Sequence, residues 1–190
     1  VSCSQRPPTN GQFLSVKEPE ASPKLFFQPA FIFDSECEHR TGFKVDSALR
    51  EELLQKLPIF RAEWTSRAGA LISASEKVAG RFFQRKEYSV ALTLCKWTPM
   101  GDPAFIVSAR PYLGAARTDR AFSLPMKMAA FVSMTHHELL HSLVDNLIHP
   151  DFFSSSSLLE KYRKETFNVQ VHLHLMAIQK AVNELLGDKK

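Results

Sequence analysis

The stretch His137-Glu138-Leu139-Leu140-His141 decides how the rest of the chain is interpreted, because two histidines stand four positions apart with a glutamate after the first. An α-helix advances 3.6 residues per turn, so the two imidazoles lie on one face and can point at one metal ion. Glu138 lies about 100° further around the helix, where it can take a proton from a water on that ion. The spacing therefore predicts a metal site with its own general base.

The flanking sequence predicts that this motif lies inside a helix of about 25 residues. Ser123 is a candidate N-cap, Pro125 fits a first turn because its missing N–H costs little there, and Pro150 ends the segment. Apolar side chains such as Leu139 and Leu143 cover nearly every direction, as in a helix buried on most sides. Ordinary hydrogen bonds are the alternative explanation for the motif's polar residues.

The pentapeptide matches the H-E-x-x-H pattern, so this region resembles the zincin metallopeptidases. The resemblance implies an α+β, zincin-like fold: a small antiparallel or mixed sheet packs on the buried motif helix, with additional N- and C-terminal helices. It also implies Zn2+ as the cofactor and a peptide or protein as the substrate. By analogy, residues 104–112 are the edge strand that pairs with the substrate backbone.

Hydrophobic periodicity and turn residues predict the other elements. Two strand-like runs, 88–97 and 104–113, are separated by turn-forming residues at 98–103 and are expected to form a hairpin or a pair of neighbouring strands. The remaining predicted elements are a strand at 25–33, a helix at 46–57 starting at Asp46 or Ser47, a helical segment at 58–83 ending near Gly80, a link at 150–157 and a final helix at 158–186.

Two histidines are not enough, because a catalytic zinc ion needs three protein ligands and one open position. The metzincin continuation of the motif requires a glycine and a third histidine, and Val144 and Leu147 occupy those positions. The gluzincin branch, which this chain then resembles more, takes a glutamate from a later helix. In aminopeptidase-like members the spacing from His141 corresponds to Glu160 in this chain, although Ser157 to Glu160 also forms a capping box.

Glu165 is the competing third ligand and is slightly favoured. Helical phase places it on one polar stripe with Asn168, His172 and Gln179 in an otherwise apolar segment. Polar stripes inside apolar helices usually have partners. The alternative for Glu165 is a surface pair with Lys161, worth a few tenths of a kcal/mol.

Further polar residues are candidates for supporting roles. His172 is the second predicted catalytic residue, either as a donor to the oxyanion of a tetrahedral intermediate or as a group that orients a ligand, and His174 shares these options. Asp145 can accept the other N–H of His141. Tyr112 and Tyr162 are weaker candidates for the oxyanion role, and His136 is expected to be structural.

Length and composition predict one folded domain. The chain has 190 residues, 44% of them hydrophobic and 23% charged, enough for one substantial core at 25–190. Residues 1–24 are rich in Pro, Ser, Gln and Asn and are expected to form a flexible tether. The net charge of +4 is scattered, so no nucleic-acid partner is expected.

The cysteines bear on the cellular location. Cys3 is a candidate for acylation after a trimmed bacterial lipoprotein signal, which would attach the protein to a membrane and place it in the cell envelope. An ordinary terminus of a secreted or cytoplasmic protein is the alternative. Cys95 is expected to be a buried thiol, with a disulfide to Cys37 left open.

The sequence thus predicts a zinc-dependent hydrolase, with peptide bonds as the expected target and Glu138 activating the zinc-bound water. A non-catalytic binding or assembly protein that retains a structural metal site is the second hypothesis. A di-iron carboxylate protein is the third, because Glu36-x-x-His39 repeats the Glu138-x-x-His141 spacing. The oligomeric state is not predicted.

Overall fold

The computed structural model describes most of the chain in five stretches. These are residues 22–42, 44–95, 104–118, 125–145 and 160–187, without the side chains of residues 36, 37, 40, 41, 104, 117, 118, 145, 167, 168 and 171. Several expectations therefore lie outside the described residues: the tether up to residue 21 with Cys3, the turn at 98–103, Ser123 as N-cap, the link at 150–157 with Ser157, and the side chains of Glu36, Cys37, Asp145 and Asn168.

The fold is α+β, as predicted. The described residues form three strands, three long helices, one shorter helix and short 3-10 turns at 31–33, 110–112 and 114–118. In chain order the elements are β1 (Lys24–Pro29), α1 (Asp34–Thr41), α2 (Ser47–Ala79), β2 (Glu87–Thr93), β3 (Ala104–Ser108), α3 (Met128–Asp145) and α4 (Phe167–Leu185).

The sheet is parallel throughout, in the order β1-β2-β3, so the expectation of an antiparallel or mixed sheet is wrong. Phe27 pairs with Val90, and Leu92 pairs with Val107. Between β1 and β2 the long helix α2 carries the chain back to the starting end of the sheet, the usual connection of parallel neighbours. The strands β2 and β3 are neighbours, as expected, but they do not form a hairpin.

β3 lies at one edge of this sheet, as the sequence predicted for this region. The strand is shorter than expected, because it ends at Ser108 and the chain then turns through a 3-10 helix at 110–112. Pro111 has no N–H to donate to a continuing ladder, which favours this early end.

The helix α2 is one continuous helix where the sequence predicted two segments. It runs through Pro58, whose ring faces solvent. Its predicted start is confirmed, because the Asp46 side chain accepts a hydrogen bond from Leu49 N at 2.9 Å. Its end at Gly80 is also confirmed: this residue has a φ of 63°, a left-handed conformation that glycine adopts without strain.

An aromatic cluster joins α2, α3 and the sheet in the core. Phe60 of α2 and Phe131 of α3 lie with ring centroids 4.6 Å apart, and Phe27 of β1 lies 5.8 Å from Phe131. Tyr112 packs edge-on against both Phe60 and Phe131. This cluster anchors the first turns of α3, so the following motif is held on a well-packed element.

The helix with the histidine motif and the final helix both begin later than predicted. The helix α3 starts at Met128, so Pro125 precedes it instead of occupying its first turn. The expected final helix is interrupted by turns at 162–165, and α4 starts at Phe167, where the Thr166 side chain accepts from Val169 N. Within the described residues, no helix is long and apolar enough to span a membrane.

Cys95 is buried, as expected, and it is disulfide-bonded instead of being a free thiol. It follows β2 directly, where its N–H donates to the Thr93 hydroxyl at 3.1 Å.

Candidate metal centre

Three histidines from two helices converge beside the core. His137 and His141 come from α3, as the motif predicts, and His172 comes from α4. One ring nitrogen of each lies within 4.8 Å of the other two. Their ring centroids lie 5.2 Å, 5.8 Å and 5.0 Å apart in the pairs 137–141, 137–172 and 141–172. We call this group the three-histidine cluster.

The surroundings of His141 give the strongest local support for a metal site. Its Nε2 is buried and accepts or donates no hydrogen bond among the described residues. Leaving a buried polar nitrogen unpaired costs about 1–3 kcal/mol, so such an atom normally has a reason to be there. A metal ion at the three-histidine cluster would use this lone pair, and imidazole is a preferred ligand of zinc.

The lowered pKa values of His137 and His141 also favour metal binding. Burial, together with the charges of the neighbouring His137 and His172, lowers the pKa of His141 to about 4. Burial likewise lowers the pKa of His137, where the hydrogen bond with Gln179 opposes the shift and His172 adds to it. Neutral imidazoles are the form that binds metal, so both histidines of the motif are in the form that could bind an ion near neutral pH.

A hydrogen-bonding contact connects His137 to the helix α4. Its Nδ1 lies 3.2 Å from Gln179 Oε1, and Gln179 belongs to α4 like His172. The Gln179 amide nitrogen in turn donates to Ser133 O at 3.3 Å and to the Ser133 hydroxyl at 3.4 Å. The two helices that carry the cluster are thereby connected through one side chain.

Glu138 is half-buried beside the three-histidine cluster. Burial raises its pKa to about 7, and the charge of His172 works in the opposite direction. A carboxyl group with a pKa near neutrality is suited to accept and return a proton. A divalent cation at the cluster would lower this pKa, because it favours the carboxylate.

Neither predicted glutamate belongs to the group that the structure brings together. Glu160 and Glu165 are both exposed, and no carboxylate from the described side chains joins the three-histidine cluster. The helical-phase argument for Glu165 is wrong, because this residue precedes the Thr166 N-cap and lies in a turn. The polar stripe itself does have partners: His172 joins the cluster and Gln179 contacts His137.

The remaining candidates lie in other surroundings. Tyr112 is buried in the aromatic cluster, and burial raises its pKa to about 12. Tyr162 lies in the turn before α4 with the Lys161 ammonium over its ring, and His174 Nδ1 lies 3.4 Å from Gln170 O. His136 lies outside the three-histidine cluster, and its Nε2 contacts the buried Ser75 hydroxyl at 2.8 Å.

The comparisons with known proteins assign no family. No family model, no curated protein and no solved structure matches the chain. The function must therefore be inferred from the cluster and its surroundings.

Proposed function

We propose that this protein is a zinc-dependent hydrolase of zincin-like type that acts on peptide bonds. One observation carries the proposal: His172 joins the two histidines of the motif, while His141 Nε2 is buried with no hydrogen-bond partner in the described part of the chain. Three histidine ligands, of which His137 and His172 are partly exposed, match a catalytic zinc site, which keeps its fourth position open. The third ligand in this proposal is His172 instead of Glu165 or Glu160.

Four residues have roles in the proposed mechanism. His137, His141 and His172 would hold the ion, which when bound supplies an acidified water and polarises the scissile carbonyl. Glu138 accepts the proton of the attacking water and returns it to the leaving amine. Its position next to His137 on α3 and its half-buried side chain support this role.

An extended peptide along β3 is the substrate arrangement that we propose. This strand lies at the sheet edge and packs against α3, the helix with the motif. The backbone of an edge strand can pair with one extended segment of a partner chain.

An oxidising compartment is also part of the proposal. The disulfide at Cys95 supports a cell-envelope or secreted location, because disulfides persist there and are rare in the cytosol.

The first experiment measures metal in the purified protein by elemental analysis, without metal added during purification. We expect about one zinc ion per chain in the wild type and loss of that zinc in His172→Ala. Glu165→Ala and Glu160→Ala are matched controls on the preceding segment, and both should keep the metal. Zinc retained by His172→Ala and lost from a glutamate variant would reverse the assignment of the third ligand.

The second experiment separates catalysis from metal binding. Glu138→Gln should keep zinc and lose cleavage of a peptide library, because the amide cannot accept the proton. A wild type that binds zinc but cleaves no peptide would favour the alternative of a binding or assembly protein with a structural metal.

A further inference from the structure

The orientation of the Gln179 amide is determined by its contacts. One of its two terminal atoms lies 3.3 Å from Ser133 O, a carbonyl oxygen that only accepts hydrogen bonds. That atom must therefore be the amide nitrogen, and the oxygen must face His137. This assignment comes from the hydrogen-bond network itself, which is how an amide orientation is decided.

The tautomer of His137 follows from this orientation. An amide oxygen has no proton to give, so His137 Nδ1 must carry the hydrogen that occupies the 3.2 Å contact with Gln179 Oε1. In a neutral imidazole the other nitrogen, Nε2, then holds the lone pair. Because Gln179 contacts the ring at Nδ1, Nε2 is the nitrogen that could bind a metal at the three-histidine cluster.

We propose that Gln179 is the positioning residue of the metal centre: it selects the metal-binding tautomer of His137 and fixes the ring, and it does so without adding charge. The inference rests on the proposed function, because it assumes that the cluster binds a metal. Metal-bound histidines commonly donate their second N–H to an oxygen acceptor, and loss of that acceptor typically lowers affinity ten- to a hundredfold.

The same contact couples the two helices of the site. Gln179 accepts from His137 and donates to Ser133, one turn earlier on α3, so its side chain spans one turn of that helix. His172 lies two turns before Gln179 on α4 and on the same face. The group that orients one ligand on α3 therefore also helps to place the ligand that α4 contributes.

The test compares three variants by titration with Co2+, a spectroscopic substitute for zinc that reports binding by its visible absorption. Gln179→Leu removes the acceptor and should weaken Co2+ binding ten- to a hundredfold. Gln179→Glu keeps an acceptor at Nδ1 and should bind at least as tightly as the wild type. Asn183→Leu, one turn further along α4, makes the same kind of change away from the cluster and should leave affinity unchanged.

A second readout needs no metal. Proton–nitrogen NMR of the metal-free protein reports which nitrogen of His137 carries the hydrogen, and we expect Nδ1–H in the wild type and a mixture of tautomers in Gln179→Leu. A wild type that binds no Co2+ would overturn the proposed function. Binding in which Gln179→Leu matches the wild type within twofold, with an unchanged tautomer, would overturn only the role of Gln179.

Discussion

At the scale of single residues, two buried histidines of α3, His136 and His141, differ in their hydrogen-bond partners. His136 is 1% exposed and its Nε2 has a buried partner: it donates to the Ser75 hydroxyl, which donates to Leu71 O at 2.7 Å. His141 is also buried, but its Nε2 has no partner among the described residues. Because a buried polar group needs a partner, the second histidine indicates a ligand and the first does not.

His136 makes the stability of the protein depend on pH. Burial lowers its pKa to about 4, and the charge of His137 adds to the shift. The unfolded chain, with a pKa of about 6.5, binds more protons, so folded stability is full above pH 6.5 and falls as the pH drops toward 4. One such group contributes a slope of about 1.4 kcal/mol per pH unit in this window.

We therefore predict that His136→Phe has a shallower loss of stability between pH 7 and pH 5 than the wild type. The measurement is urea unfolding at both pH values with a chelator present, which removes the contribution of any bound metal. His137 and His141 also have lowered pKa values, so part of the slope should remain. Equal pH dependence in both proteins would show that His136 does not titrate in this range.

At the scale of elements, Glu52 joins α2 to the segment between the sheet and the motif helix. Its two carboxylate oxygens accept the N–H groups of Gly114 and Ala115, each at 2.7 Å, and Lys56 Nζ lies 2.9 Å from Oε1. Burial alone would raise the pKa of Glu52, but the bonds to Ala115, Lys56 and Gly114 outweigh it and the pKa is lowered. This carboxylate thus stabilises the fold above its unfolded pKa, and the contribution is lost as the pH falls through the folded value.

Glu52→Gln should lower the free energy of unfolding at pH 7 by about 1–3 kcal/mol, because the amide NH2 then faces a backbone donor. Glu51→Gln is the matched control, since Glu51 precedes it on α2 and is exposed. Urea unfolding of both variants at pH 7 makes the comparison. Equal stability of the two variants would contradict the role given to Glu52.

The secondary-structure elements also show which features of the fold can be predicted from the sequence. Local signals predicted the Asp46 cap, the end of α2 at Gly80 and the pairing of two histidines on α3, because caps and helical spacing depend on neighbours in the chain. The direction of β3 could not be predicted, since two apolar strands look alike whether they run parallel or antiparallel. His172 was predicted to stabilise an oxyanion or to orient a ligand. Its place in the three-histidine cluster could not be predicted, because the other two histidines come from another helix.

At the scale of the whole molecule, a metal at the three-histidine cluster would join α3 and α4 beside the core. The helix α4 packs on α2 and α3 through buried Leu175 and Val182, and its polar face carries His172 and Gln179. The cluster cannot form in the unfolded chain with its ligands in place, because His172 lies 31 positions after His141. A metal bound at this cluster would therefore favour the folded state.

We predict that zinc raises the thermal stability of the protein and that His172→Ala removes the effect. A ligand that binds only the folded state contributes about 2.7 kcal/mol at a hundredfold excess over its Kd. Thermal unfolding with zinc and with a chelator measures the difference in Tm for the wild type, His172→Ala and Glu165→Ala. The glutamate variant should keep the wild-type difference. If His172→Ala is stabilised by zinc as strongly as the wild type, the ion is bound elsewhere and α4 does not contribute a ligand.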